Sequence, residues 1–178
     1  MQKIIIITLF LGLFACNKKI ECESAPNVSN FPVDIDIKRL EQEMFEITDI
    51  NSAINFIKLH KGVSENFLQL SDYPTDTILA KQIMKLINDP DIKKLYEEVL
   101  YEFGDKQKLE KDFEQAFKFA KHYYPQFQTP EVTTMVTGLG NDLYISDSLI
   151  VVGLDFFIGP NASYKPIDLP QYILNRYR

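Results

Sequence analysis

The segment Glu131–Pro160, EVTTMVTGLGNDLYISDSLIVVGLDFFIGP, limits the fold more than any other part of the chain. It is the one stretch that reads clearly as β-structure. Val132, Thr134 and Val136 alternate with Thr133, Met135 and Thr137, which makes a strand with two usable faces. Gly138-Leu139-Gly140-Asn141-Asp142 reads as a loop, Leu143-Tyr144-Ile145 as a short strand and Ser146-Asp147-Ser148 as a turn. Leu149 to Gly153 follows as a wholly apolar strand, so the last two strands form a hairpin laid beside the Val132 strand. Three strands cannot close a barrel, and long helices must therefore cover one face of the sheet.

Those helices precede the β block. Val33-Asp34-Ile35-Asp36 alternates briefly; then Ile37, Leu40, Met44, Phe45 and Ile47 take helical spacing, with Asp36 placed as an N-cap. A second helix is expected over roughly Ser52 to Leu70, interrupted near Gly62, and a third capped by Asp76. Asn88-Asp89-Pro90 stops one helix and starts the next, with Asp89 as cap and Pro90 in the first helical position. Leu95, Val99 and Phe103 mark the inner face of that helix, and Gly104 ends it. Asp105 then caps a long helix to about Tyr123. Its aromatic residues, Phe113, Phe117, Phe119, Tyr123 and Tyr124, are read as core rather than as a ligand face. Asp168-Leu169-Pro170 reads as a further cap and helix start, with Ile173, Leu174 and Tyr177 in period up to Arg178, so the domain is expected to continue beyond it. The predicted class is α+β and helix-rich, several helices packed on a sheet of about three strands.

The head of the chain speaks of location. Lys3 is followed by IIIITLFLGLFA, a charged start and an apolar run too short to span a bilayer core of about 30 Å. Leu13-Phe14-Ala15-Cys16 has the order of a bacterial lipobox: an aliphatic residue, a small residue before the cut, then the cysteine whose thiol takes the lipid. Residues 1–15 are thus expected to be a lipoprotein signal peptide, with Cys16 the lipidation site. Residues 16–32 are read as lipid anchor and flexible tether, and 33–178 as a single α+β domain. A Cys16–Cys22 disulfide is the competing use of the two cysteines. The net charge of −6 argues against nucleic acid and provides no basic face for anionic lipids, leaving the acyl group to hold the membrane.

No segment carries a complete catalytic constellation. Gly138-x-Gly140 lacks the third glycine and the Gly-Lys-Ser/Thr of a phosphate loop, so its glycines are read as turn residues. Asp142, Asp147 and Asp155 are a candidate cation site, but their spacing is not that of a calcium loop, which favours turn and cap roles. His60 and His122 lie in no metal motif, no Gly-x-Ser-x-Gly elbow occurs, and Cys22 sits in the tether. Read from its residues, the chain has no catalytic, cofactor-binding or metal-binding residue and is a non-enzyme.

The wording itself goes further. LIVVGLDFFIGPNASYKPIDLPQYILNRYR at 149–178, the VDIDIKRLEQEMF opening, TGLGNDLYISDSLIVVGLDFFIGP and the lipobox resemble the GldB family of gliding-motility lipoproteins of Bacteroidetes, over essentially the whole chain. The resemblance implies a lipoprotein of the inner or outer membrane that acts as a structural or interaction component alongside other gliding proteins. That family is also similar to predicted zinc proteases of the zincin type. There the β block would be the sheet whose edge strand lines an active-site cleft, and a later helix would carry His-Glu-x-x-His. The alternative that follows is the N-terminal fragment of a lipid-anchored zincin-type metallopeptidase, active or degenerate. Only Cys16 is carried over from the resemblance.

Overall fold

Four strands form one mixed sheet in the order β1-β2-β4-β3 in the computed structural model, which describes residues 25–160, 162–164 and 170–174. The strands are β1 (Lys38–Arg39), β2 (Glu131–Met135), β3 (Leu143–Ile145) and β4 (Leu149–Gly153). β1 and β4 flank β2 in parallel, and β3 runs antiparallel to β4. Val132 lies beside Ile150 and Ile150 beside Ile145, whereas Thr133, Val151 and Tyr144 form the next row. Because paired residues share a face, Val132, Ile150, Val152, Leu143 and Ile145 look one way and Thr133, Met135, Val151 and Tyr144 the other.

The fourth strand corrects the sequence expectation. A helix from Ile37 capped by Asp36 is not formed; the chain stays extended through Arg39, and α1 runs only over Leu40–Phe45. Lys38 and Arg39 pair with Thr133 and Thr134, so the backbone groups of this short stretch find their partners across the sheet instead of along a helix. Asp36 caps nothing and instead accepts from Lys106 Nζ at 2.7 Å.

α2 (Ile50–Leu59) begins at Asp49, whose carboxylate accepts from the N–H groups of Asn51 and Ser52 at 2.8 and 3.1 Å. The break before α3 (Lys61–Asn66) falls at His60 rather than Gly62. α4 (Asp76–Asn88) has Thr75, not Asp76, at its N-cap; Asp76 stands in the first turn, where its charge meets the positive end of the helix. α5 (Pro90–Phe103) and α6 (Lys106–Tyr123) start as expected, Asp89 accepting from Asp91 N and Ile92 N and Asp105 from Gln107 N. α7 covers Gln171–Leu174; Asp168 and Tyr177, expected to belong to it, lie outside the described residues.

Helices pack on both faces of the sheet, not on one. Leu40, Met44, Phe56, Phe67 and Ile83, from α1 to α4 and the segment after α3, bury the face that carries Met135 and Val151. The opposite face, with Val132 and Ile150, is covered by Phe117 of α6, assisted by Phe113, Phe127 and Ile37. Phe117 stands 5.7 Å from Phe113 and 5.5 Å from Phe127, ring centre to ring centre, so Phe113 and Phe117 pack in the core as predicted. Tyr123 and Tyr124, at the end of the same helix and expected in the core, are exposed instead, because they lie past the last turn that packs on the sheet. α5 closes the sheet at the strand ends, Val99 packing with Val136 and Leu154. Each such side chain contributes about 1.5–3 kcal/mol on burial. Residues 25–32, assigned to the tether from sequence, lie against this body: Val28 is only 4 % exposed, and Pro32 O accepts from Lys121 Nζ.

One buried ion pair sits at the start of α1. The Arg39 guanidinium pairs with Glu41 and donates to Phe103 O at 2.7 Å, and Thr134 Oγ1 donates to Glu41 at 2.6 Å. These contacts tie β1 to the end of α5 and to β2.

Candidate interaction surface

The loop between β2 and β3 is built around one carboxylate. Asp155 is 2 % exposed, and its Oδ2 accepts from Leu139 N at 2.6 Å and Thr137 N at 3.2 Å. Burial pushes its carboxyl up to about 6, while the N–H donors of Leu139, Thr137 and Gly138 pull the other way. Oδ1 is buried without a hydrogen-bond partner among the described residues. The loop needs this grip, because Gly138 (φ 69°) and Leu139 (φ 62°) both adopt left-handed backbone. For leucine that conformation costs on the order of 1–2 kcal/mol. A Cβ at Gly138 would also lie 2.8 Å from Ile92 Cδ1, the tip of a side chain that can yield, so the backbone conformation rather than space calls for glycine here.

Thr137 continues the clamp. Its Oγ1 accepts from Gly140 N and Asn141 N at 3.0 Å each. Asn141 Nδ2 reaches Phe67 O at 2.8 Å, fastening the loop to the helical layer. On the other side the loop lies so close to β4 that a Cβ on Gly153 would fall 2.2 Å from Asn141 O. Gly153 N donates to Asp142 O at 2.7 Å. The chain therefore enters β3 from a fixed point.

β3 itself is the outer strand of the sheet. Asp142 with Gly153, and Ser146 with Leu149, are joined by backbone hydrogen bonds toward β4. Antiparallel alternation then turns Tyr144 inward and leaves the backbone groups of Leu143 and Ile145 facing out. The Leu143 N–H is taken by Asp142 Oδ1 at 2.8 Å. Among the described residues, Leu143 O and both backbone groups of Ile145 form the open edge. Leu143 and Ile145 are 46 % and 65 % exposed, because the cluster built on α6 reaches across their face only as far as β4. Beside Tyr144 and Ser146, on the other face, a polar pocket of about 400 Å³ is lined by Lys38, His60, Lys61 and Asn66.

The residues weighed as a cation site are not brought together. Asp155 is buried under the loop, Asp142 caps Leu143 and Asp147 is exposed at the hairpin turn. Among the described residues no group of three His, Cys, Asp or Glu side chains could hold a metal. His60 Nε2 lies 3.0 Å from both carboxylate oxygens of Glu43, and His122 packs edge-on against Phe31. Gly138 and Gly140 are turn residues. Cys16 and Cys22 lie outside the described residues. The role of Asp155 escaped the sequence analysis, although a signal existed: one acid inside the apolar run VVGLDFFIG is either buried with partners or misplaced.

No helix among the described residues is long and apolar enough to cross a membrane. The family model for gliding motility protein GldB matches residues 21–178. No curated protein and no solved structure matches the chain.

Proposed function

The chain belongs to the GldB family of gliding motility proteins, and on that footing we propose that it is a lipid-anchored component of the bacterial cell envelope that contributes to gliding by binding other proteins of the machinery. The anchor would be Cys16, supported by the order Leu13-Phe14-Ala15-Cys16 behind a short apolar run. Acyl chains on Cys16 would tether a body that is acidic overall. The observation that favours contact over chemistry is the open edge of β3, where Leu143 and Ile145 stay exposed on a strand whose loop is held rigidly by Asp155. We assign the chain no reaction.

Deletion of the gene tests the process: the cells are expected to lose spreading on agar, and unchanged spreading would overturn it. Metabolic labelling with a palmitate analogue tests the anchor. Label is expected on the wild-type protein and absent after Cys16→Ala; label that survives the substitution would place the lipid elsewhere.

A further inference from the structure

We propose that the polar pocket at the hairpin end of the sheet binds a sugar acid, a ring that carries one carboxylate and several hydroxyls. The inference goes beyond the gliding role and does not depend on it. One face of the sheet makes the floor. Lys38, Thr133, Val151 and Tyr144 pair across all four strands, and Glu131, Leu149 and Ser146 form the next row on the same face. The roof is the junction of α2 and α3, and the volume of about 400 Å³ is that of a small-molecule site. The frame is already fixed. Glu131 N donates to Ser148 O at 2.9 Å, and Ser146 Oγ donates to Leu149 O at 3.2 Å and accepts from Leu149 N at 3.1 Å. His60, in the wall, is held by both Glu43 oxygens at 3.0 Å and packs on Phe56, ring centres 4.8 Å apart. Little is left to be ordered on binding.

The lining sets the charge of the ligand at one negative unit. Lys38 is matched by Glu131 at 2.7 Å, and both line the pocket. Lys61 also lines it, but its partner Glu65, at 3.5 Å, does not. A pair between two such exposed side chains contributes little, so Lys61 can turn to a ligand with small loss. A phosphate dianion would require Lys38 to leave Glu131 as well, and a neutral sugar would leave Lys61 unused. The same lining selects hydroxyls. Glu131 can only accept hydrogen bonds, and Asn66, whose Nδ2 donates to Gly62 O at 2.8 Å, has its amide oxygen to offer. A ligand must donate to both, whereas Tyr144 and Ser148 bring hydroxyls that donate or accept. A carboxylate with hydroxyls around it on one ring answers each of these groups.

Calorimetric titration of the full chain in detergent tests this with three probes: glucuronate, which has both features, glucose, which has the hydroxyls alone, and acetate, which has the carboxylate alone. Glucuronate is expected to bind in the millimolar range at low salt, and glucose and acetate about tenfold more weakly. Lys61→Gln should weaken glucuronate about tenfold and leave glucose unchanged. The Lys61 side chain is 75 % exposed, so this variant is expected to keep its fold, which thermal melts check. Tyr144→Phe should weaken glucuronate and glucose alike, by severalfold. Glucose or acetate binding as tightly as glucuronate would overturn the proposal, as would inorganic phosphate binding more tightly than glucuronate. Undiminished glucuronate binding by Lys61→Gln, or none by the wild-type chain at tens of millimolar, would do the same. A glucuronate-terminated trisaccharide separates the two sources of such a ring: binding tighter than the monomer supports the end of a glycan chain as the ligand, and weaker binding supports a free sugar acid.

Discussion

The two edges of this sheet are treated in opposite ways. β1 is two residues long, Lys38 pairs with Glu131 at 2.7 Å, Arg39 is locked into a buried ion pair, and α1 follows at once. Short length, a lysine and a covering helix are the usual means of closing an edge. β3 shares only the short length, three residues: its side chains Leu143 and Ile145 are apolar and exposed, and its flanking charges in the chain are acidic. Yet β3 is no loose end, since Asp155, Thr137, Asn141 and Gly153 fix the loop that leads into it. A rigidly held but unprotected edge is what a docking strand requires, because little order remains to be bought on binding.

Breaking the closed edge should produce the largest effect. Arg39→Met leaves the Glu41 carboxylate buried without its cation and should cost about 3–5 kcal/mol in denaturant unfolding. A loss below about 1 kcal/mol would mean that the pair is not what holds β1.

The support of the open edge comes next. Burial holds the Asp155 carboxyl near 6 against its ordinary value of 3.8, so folding takes up a proton between those values. Its neutral form is the one the fold favours. That contribution is fully present below about pH 3.8 and is lost as the pH rises through about 6, on the order of 3 kcal/mol in all. Asp155→Asn keeps an acceptor for Leu139 N and should flatten that part of the pH–stability profile. An unchanged profile would show that another group titrates there.

The smallest effect sharpens the contrast from the exposed side. Ile145→Lys should change stability by less than about 0.5 kcal/mol, because the side chain already faces solvent. A large loss of stability would mean that Ile145 is packed, and the edge would then be no open surface.

Much of the local structure was legible because its signals are local. Asp89-Pro90 and Asp105 start their helices where the cap chemistry puts them, and Leu143–Ile145 and Leu149–Gly153 form the expected hairpin. The stretch around Asp36 does not show its strand because Ile37 and Leu40 fit helical spacing equally well when one precedes a two-residue strand and the other opens the helix after it. Nothing local to Lys38 and Arg39 says that Thr133 and Thr134, more than ninety positions away, will pair with them. Coverage of both sheet faces was missed for the same reason: the apolar stripe of α6 shows that it must be buried, not which face buries it.

By itself, the sequence determined the helix-rich α+β class, the hairpin and membership of the GldB family, because periodicity, caps and wording are carried by neighbouring residues. Only the tertiary structure decided that Asp155 is the buried clamp of the β2–β3 loop, that β1 joins and seals one edge, and that β3 leaves the other open. Those outcomes depend on which distant groups desolvate one another, and that is a property of the packed chain.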